Sequence, residues 1–328
     1  MHRTINWGFI GPGKIASKVA SSFSQVPNAE LYAVASRDLE KAKTFASAYS
    51  IPYCYDSYEK LVADPNIDII YIATPHPFHH EQTLLCLKNK KAVLCEKPLT
   101  LNHKLALEMV TVARENKTFL MEAMWTRFFP ATIKALEIIQ SGLIGDVKYL
   151  RADFGFKAAF DPHSRVYDLK LGGGAMLDVG VYPLFLALLV LGKPDQIKSF
   201  AHLAPTGADE IINATFQYKN GSLANILSAV VADTPKAAEI MGTLGTLTMH
   251  TPWHKASALT VKMNDGIEQH FDLPYEGHGS SFQIQEVMNC LENNQTESKL
   301  MPLDLSLMMA EVSDEIRRQC GVVYREDS

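Results

Sequence analysis

The chain has no pair of cysteines spaced for zinc or for thiol exchange. Its five cysteines, Cys54, Cys86, Cys95, Cys290 and Cys320, lie far apart and are odd in number, which argues against a disulfide framework and predicts reduced, mostly buried thiols. Basic charge is not in excess either: 31 Lys and Arg against 36 Asp and Glu leave a net charge of -5, so a phosphate backbone would find little to neutralise it, and no nucleic-acid partner is expected. No uninterrupted apolar run approaches the length of a membrane span. The opening Met1-His-Arg-Thr-Ile-Asn6 carries no signal-peptide apolar region, so the expected protein is cytoplasmic and does not engage a membrane. Repeats and low-complexity tracts are missing as well, the longest glycine run being Gly172-Gly173-Gly174.

What is present is a chain of 328 residues, 47% hydrophobic and 20% charged, which is more than one hydrophobic core ordinarily organises. Two domains are expected, at 1–122 and 123–328. In the first, short apolar runs (Ile5 to Ile10, Leu31 to Ala35, Ile69 to Ala73, Ala92 to Cys95, Thr118 to Met121) alternate with helical segments (Lys14 to Phe23, Leu39 to Tyr49, His80 to Lys88, Asn102 to Asn116). That rhythm predicts an α/β fold with a doubly wound parallel sheet, and Asp38 is placed to cap the second helix. Beyond Glu122 the order becomes a helix (Ala131 to Ser141), a strand (Val147 to Phe156), a Gly-rich turn and an apolar helix (Ala175 to Leu191). Seven strands between Ile197 and Phe271 follow, with turn signals such as Lys219-Asn220-Gly221, before two closing helices, Ser280 to Asn293 and Leu303 to Cys320, that are expected to pack back across the molecule. This predicts an α+β domain on a large, mostly antiparallel sheet. Both alternating sets of side chains in Leu223 to Val231 are largely apolar, so one sheet face needs a cover; a homodimer or homotetramer formed through this sheet is expected.

The first strand runs directly into Gly11-Pro12-Gly13-Lys14-Ile15-Ala16, a G-x-G-x-x-A pattern at a strand-to-helix turn. Gly11 permits the tight turn, Gly13 admits a pyrophosphate close to backbone, and Ala16 lets helix and strand touch. At the end of the second strand, where an acidic residue would hold the ribose 2′-hydroxyl of NAD, the chain reads Ala35-Ser36-Arg37-Asp38. A hydroxyl and a guanidinium suit a 2′-phosphate, so NADP is favoured over NAD. The competing reading makes Arg37 a solvated loop residue and puts Asp38 on the ribose.

Two further segments carry chemistry. Glu96-Lys97-Pro98 ends the fifth strand at the carboxyl edge of the sheet, where doubly wound folds bind ligands, and Pro98 fixes the local backbone. In Gly172-Gly-Gly-Ala-Met-Leu-Asp178-Val-Gly-Val-Tyr182, the acid and the phenol are spaced to share one face of a helix, with Cβ atoms about 5 to 6 Å apart. A bland alternative has Asp178 stabilising the helix start and Tyr182 filling core. The run His76-Pro-Phe-His79-His80 lacks the carboxylate or thiolate partners of a metal centre, and no metal is expected.

Taken together, Gly11 to Ala16, Ala73-Thr74-Pro75 followed by His79, Glu96-Lys97-Pro98 and the Gly172 to Tyr182 segment resemble the glucose-fructose oxidoreductase / inositol dehydrogenase / MocA family over nearly the whole chain. Many members resemble Asp-x-x-x-His at the last motif. The Asp178-x-x-x-Tyr182 here, with Glu122-Ala-Met-Trp125-Thr-Arg127-Phe-Phe-Pro130, resembles instead the branch containing dimeric dihydrodiol dehydrogenase and NADP-dependent D-xylose 1-dehydrogenase. The resemblance implies hydride transfer between a nicotinamide cofactor and a small sugar, polyol or trans-dihydrodiol. It implies that Lys97 and Tyr182 flank the substrate oxygen, that Asp178 orients substrate hydroxyls, and that Gly11, Gly13, Lys14, Ile15, Ser36, Arg37, Thr74, Pro75, His79, Glu96 and Lys97 line the cofactor. Trp125, Arg127, Phe154 and Phe156 are expected in the substrate pocket, with core packing the alternative for the two phenylalanines, which alternate with Gly155 along one face. A cyclitol or amino-sugar oxidoreductase of the same family is one alternative. A nucleotide-binding regulator without turnover is another, against which the presence of both Lys97 and Tyr182 speaks.

Overall fold

The structure, a computed structural model, describes residues 3–327 and divides into two compact units: residues up to Trp125 together with Glu276–Leu307, and Thr126–Tyr275 together with the residues from Met308 onward. In the first unit the elements follow as β1 (Ile5–Ile10), α1 (Lys14–Ala20), β2 (Ala29–Ala35), α2 (Leu39–Tyr49), β3 (Tyr53–Tyr55), α3 (Tyr58–Ala63), β4 (Ile69–Ile72), α4 (His79–Lys88), β5 (Ala92–Glu96), α5 (His103–Asn116) and β6 (Leu120–Ala123). Among the described residues the strands pair in parallel in the order β3-β2-β1-β4-β5-β6. This is the doubly wound sheet expected, and its strand order reverses between β1 and β4, the switch point at which such sheets bind ligands. Its strands are apolar on both sides because helices cover both faces. Trp7 and Phe9 pack edge-on against Phe23 and Tyr71 with ring centroids 5.2 and 5.1 Å apart. Asp38 caps α2 as expected, accepting from the amides of Glu40 and Lys41.

The second unit holds α6 (Pro130–Gln140), β7 (Val147–Gly155), a helical segment ending in α7 (Val181–Leu191), and the strands β8 (Gln196–Leu203), β9 (Asp209–Gln217), β10 (Leu223–Ala229), β11 (Ala238–Gly242), β12 (Gly245–Met249), β13 (Ala258–Met263) and β14 (Glu268–Asp272). Its eight strands run β14-β13-β12-β11-β7-β10-β9-β8, antiparallel except for the pair β7 and β10. Leu150 and Ala152 of β7, Ala224 and Ile226 of β10 and Phe216 of β9 are buried on one side of this sheet, and α7 packs across β7 and β10.

One expectation needs correction. The apolar helix is not uniform: Met176–Gly180 winds as a π-helix before α7 begins, a departure from α geometry that recurs at functional sites. In keeping with the absence of an uninterrupted apolar run, Leu169–Leu191 meets the length and mean hydropathy of a membrane span only across Lys170 and Asp178, and 83% of its most apolar window is buried, as befits a core helix. Along β10 Ala224, Ile226 and Ser228 are buried on one face, whereas on the other Ala229 is buried and Leu223, Asn225 and Leu227 are more exposed. There Asn225 and Asn213 exchange amide hydrogen bonds at 3.1 Å, a polar pair set among Leu223, Leu227 and Ala229 on a face that is otherwise apolar.

The chain also divides differently from a single cut after residue 122. Two last helices, α8 (Ser280–Glu292) and α9 (Leu303–Cys320), follow β14, and α8 packs on α1 and the turn Phe23–Gln25. The amide of Leu120 donates to the Thr296 carbonyl at 3.2 Å, extending hydrogen bonding beyond β6. Glu276–Leu307 thus completes the first unit, and the division falls inside α9.

Candidate active site

At the switch point, the loops after β1 and β4 touch because residue 11 is glycine. Gly11 has φ +88, and a Cβ there would stand 2.8 Å from the Thr74 methyl carbon. Gly13 has nothing within 4 Å of where its Cβ would be, and no side chain caps α1. The turn is therefore open above Gly13, with Lys14 exposed and Ile15 half-buried, while Ala16 is fully buried where helix meets strand. Such a turn suits a dinucleotide pyrophosphate.

The end of β2 separates the two readings of the ribose site. Asp38 Oδ1 accepts from the α2 amides at 3.1 and 3.3 Å and Oδ2 pairs with Lys41 at 3.6 Å, so its carboxylate already has a structural task. The buried Ser36 hydroxyl accepts from the Asp38 amide at 3.1 Å, which leaves its proton for a further acceptor. Arg37 is exposed, and its guanidinium lies 5.4 Å from the centroid of Phe78, in the turn His76–Phe78 that follows Thr74 and Pro75.

His79 joins the ends of β4 and β5. Fully buried, it brings Nδ1 within 2.9 Å of the Pro98 carbonyl and Nε2 within 2.8 Å of the Thr74 carbonyl. Burial pushes its pKa down, outweighing the pull of these carbonyls. The histidine run does not converge on an ion, since His80 pairs with Glu108 at 2.9 Å and His76 meets His79 by its ring.

The Lys97-Pro98 peptide is cis. On one side of Lys97, the buried Glu96 accepts a hydrogen bond from the Tyr71 hydroxyl; burial raises its carboxyl, opposed by Tyr71 and by the Lys97 ammonium. On the other side, Leu99 donates its amide to Glu122 Oε1 at 2.9 Å. Burial pushes Glu122 up to about 7, with the Leu99 amide and Lys97 among the opposing influences. Two buried carboxylates therefore bracket the backbone of Lys97. Trp125, also in the first unit, stacks on His278 with centroids 4.7 Å apart and planes 8° from parallel.

In the second unit, Tyr182 stands in the first turn of α7, buried among rings. Phe154, near the end of β7, tilts against it at 5.3 Å, and His254 lies at 5.4 Å. The end of β7 is gripped from outside: the Asp153 carboxylate accepts from Lys236 and Ala237 amides at 2.7 and 3.0 Å, and Trp253 Nε1 donates to the Asp153 carbonyl at 2.8 Å. Thr126 donates to the His254 carbonyl at 2.7 Å, and the next residue, Arg127, is buried. Asp178 lies in the π segment, where its Oδ1 accepts from Arg165 at 2.9 Å. Phe156 is elsewhere, packed with Val166, Tyr167, Ala175, Ala204 and Val230, so of its two possible places it takes core. Arg165, His254 and His278 are additions to the candidate set; all three come from irregular segments whose sequence carries no periodic signal.

The sequence matches the profile of an oxidoreductase family with an NAD-binding Rossmann fold over residues 5–124, and that of the GFO/IDH/MocA C-terminal domain over residues 132–248. It is 38% identical to a trans-1,2-dihydrobenzene-1,2-diol dehydrogenase of Danio rerio over 99% of each chain. To the protein of that name from Xenopus tropicalis it is 37% identical, over 97% of this chain and 98% of the relative. A solved 3-ketoreductase from Actinomadura kijaniata, in complex with NADP and TDP-benzene, superposes with a TM-score of 0.86 at 25% identity over 97% of this chain and 98% of that one. The chain belongs to the Gfo/Idh/MocA family of NAD(P)-dependent oxidoreductases, as the sequence resemblance implied.

Proposed function

We propose that this protein is an NADP-dependent dehydrogenase or reductase, transferring hydride between nicotinamide and a hydroxyl-bearing carbon of a trans-dihydrodiol or small sugar. The observation that carries the reading is Tyr182 itself: a phenol in the first turn of a core helix, set among Phe154 and His254, with Asp178 in the preceding turn. The dihydrodiol dehydrogenases similar over the whole chain supply the substrate class, and the NADP of the 3-ketoreductase agrees with Arg37 and Ser36. Bound at the Gly11 turn, the cofactor supplies the hydride acceptor or donor.

The chain's own residues handle the proton. In the oxidative direction Tyr182 takes the proton of the substrate hydroxyl, and in the reductive direction it returns one. A tyrosine ordinarily ionises near ~10, too high for an efficient base at neutral pH. A lysine ammonium acting on the same oxygen favours the phenolate and stabilises charge on the substrate, which is the role given to Lys97. Asp178, held by Arg165, orients neighbouring hydroxyls. Trp125, Arg127 and Phe154 form pocket wall, and the outward face of the second sheet, where Phe200 stands in register with Asn213 and Leu227, is the surface for self-association.

The test is an assay at the absorbance band of reduced nicotinamide over trans-dihydrodiols, pentoses, hexoses and cyclitols, with NADP and NAD compared. Turnover of a dihydrodiol or aldose with preference for NADP is expected. Binding of nucleotide without turnover of any polyol would overturn the enzyme reading, and preference for NAD would overturn the part that rests on Arg37.

A further inference from the structure

The Gly172-Gly173-Gly174 run folds over a buried carboxylate that the proposed chemistry does not use. Asp209, the first residue of β9, has no exposed surface. Its Oδ2 accepts the Met176 amide at 2.6 Å, while Oδ1 faces Gly174 with no hydrogen-bond partner. A Cβ on Gly174 would come within 2.2 Å of that oxygen, and Gly174 has φ +132, so both space and backbone call for glycine. The groups around Asp209 are few. The Tyr324 hydroxyl donates to the Gly173 carbonyl at 2.7 Å, and Arg317 lies 4.8 Å over the Tyr324 ring while pairing with Asp314 and Asp327. Cys320 is a further titratable neighbour, its thiol pushed up by burial, as is the Tyr324 phenol. Burial pushes Asp209 itself up to about 7, opposed by the Met176 and Ala175 amides and by Arg317.

The first amides of any helix lack partners within it, and a side chain at the preceding residue ordinarily takes one. Here the preceding residues are three glycines and Ala175, none of which can do so, and no local cap exists. We propose that Asp209 is a positioning residue: reaching from β9, it caps the first turn of the segment that carries Asp178 and Tyr182, and so fixes where those side chains stand. A carboxylate suits this end of a helix, and its protonated form is the weaker acceptor. The inference rests on the reading of Tyr182 as acid and base.

Asp209→Asn, isosteric and uncharged, is the test, with Gly174→Ala as a second route to the same carboxylate. In both, amide exchange of residues 175–182 followed by mass spectrometry should accelerate about tenfold or more. Turnover should fall about tenfold with NADPH affinity held within about twofold. Unchanged exchange in Asp209→Asn overturns the inference, as does faster exchange with kcat intact. If the wild-type protein turns over nothing with either cofactor, the functional reading fails instead, and the exchange measurement alone decides the role of Asp209.

Discussion

His254 lies flat against Phe154, their ring centroids 4.2 Å apart and their planes 19° from parallel. Because Tyr182 tilts against both rings, the phenol is steadied by side chains from β7 and from the turn before β13 as well as by its own helix. Truncating His254 to Ala should cost about 1–3 kcal/mol, seen as a lowered Tm in thermal unfolding, and should depress kcat. His254→Phe keeps a stacking ring and should recover most of the stability. An unchanged Tm in His254→Ala would show that the stack contributes nothing.

Arg37 should discriminate between cofactors. Charge-assisted hydrogen bonds to a phosphate contribute about 1.5–3 kcal/mol, so Arg37→Ala should weaken NADPH binding roughly 10- to 100-fold. NADH affinity should scarcely move. Fluorescence titrations with both cofactors check this, and an equal loss for the two would place Arg37 outside the 2′-phosphate site.

Glu122 should make stability depend on pH. Its carboxyl is raised to about 7 in the folded protein, above its value in the unfolded chain, so its favourable contribution is complete at low pH and is lost as pH rises through about 7. Relative to Glu122→Gln, the wild-type protein should therefore lose stability between about pH 5 and pH 8, by at most about 3 kcal/mol. Urea unfolding at both pH values measures it. A difference that stays constant across that window would mean that Glu122 keeps an ordinary carboxyl.

Tyr182→Phe should lower kcat by about 10²- to 10⁴-fold while leaving cofactor affinity nearly unchanged, as expected for loss of a proton-transfer group. Lys97→Met should do more than slow the reaction. Without the ammonium the phenol ionises at higher pH, so the pH at half-maximal oxidation should move upward. Stopped-flow and steady-state profiles from acid to alkaline pH distinguish these outcomes, and a Lys97→Met profile that only scales down would remove the role given to that lysine.

Features tied to repeating pattern or turn chemistry were legible in the sequence. β1 has the bounds read from its apolar run and from Gly11, and α2 begins where Asp38 caps it. Short elements were not: β3 is only Tyr53–Tyr55 and α3 only Tyr58–Ala63, too brief to show a period. The π winding of Met176–Gly180 was hidden for another reason, since the apolar side chains there are compatible with either helical pitch. Arg165, His254 and His278 reach their neighbours through irregular chain, where distance in sequence says nothing of distance in space. That the closing helices pack back across the molecule was legible, but not where Glu276–Leu307 docks, because a helix shows its apolar face in sequence but not the surface that receives it.

That return makes the protein one indivisible gene product rather than two modules in tandem. An excised N-terminal piece ending at Trp125 would keep all six strands of its sheet yet expose the side of α1 that α8 shields, lose the Thr296 carbonyl opposite Leu120, and strand Arg114 without Glu297 and Asp304. Swapping nucleotide specificity between relatives by exchanging halves would therefore require three splice points, not one.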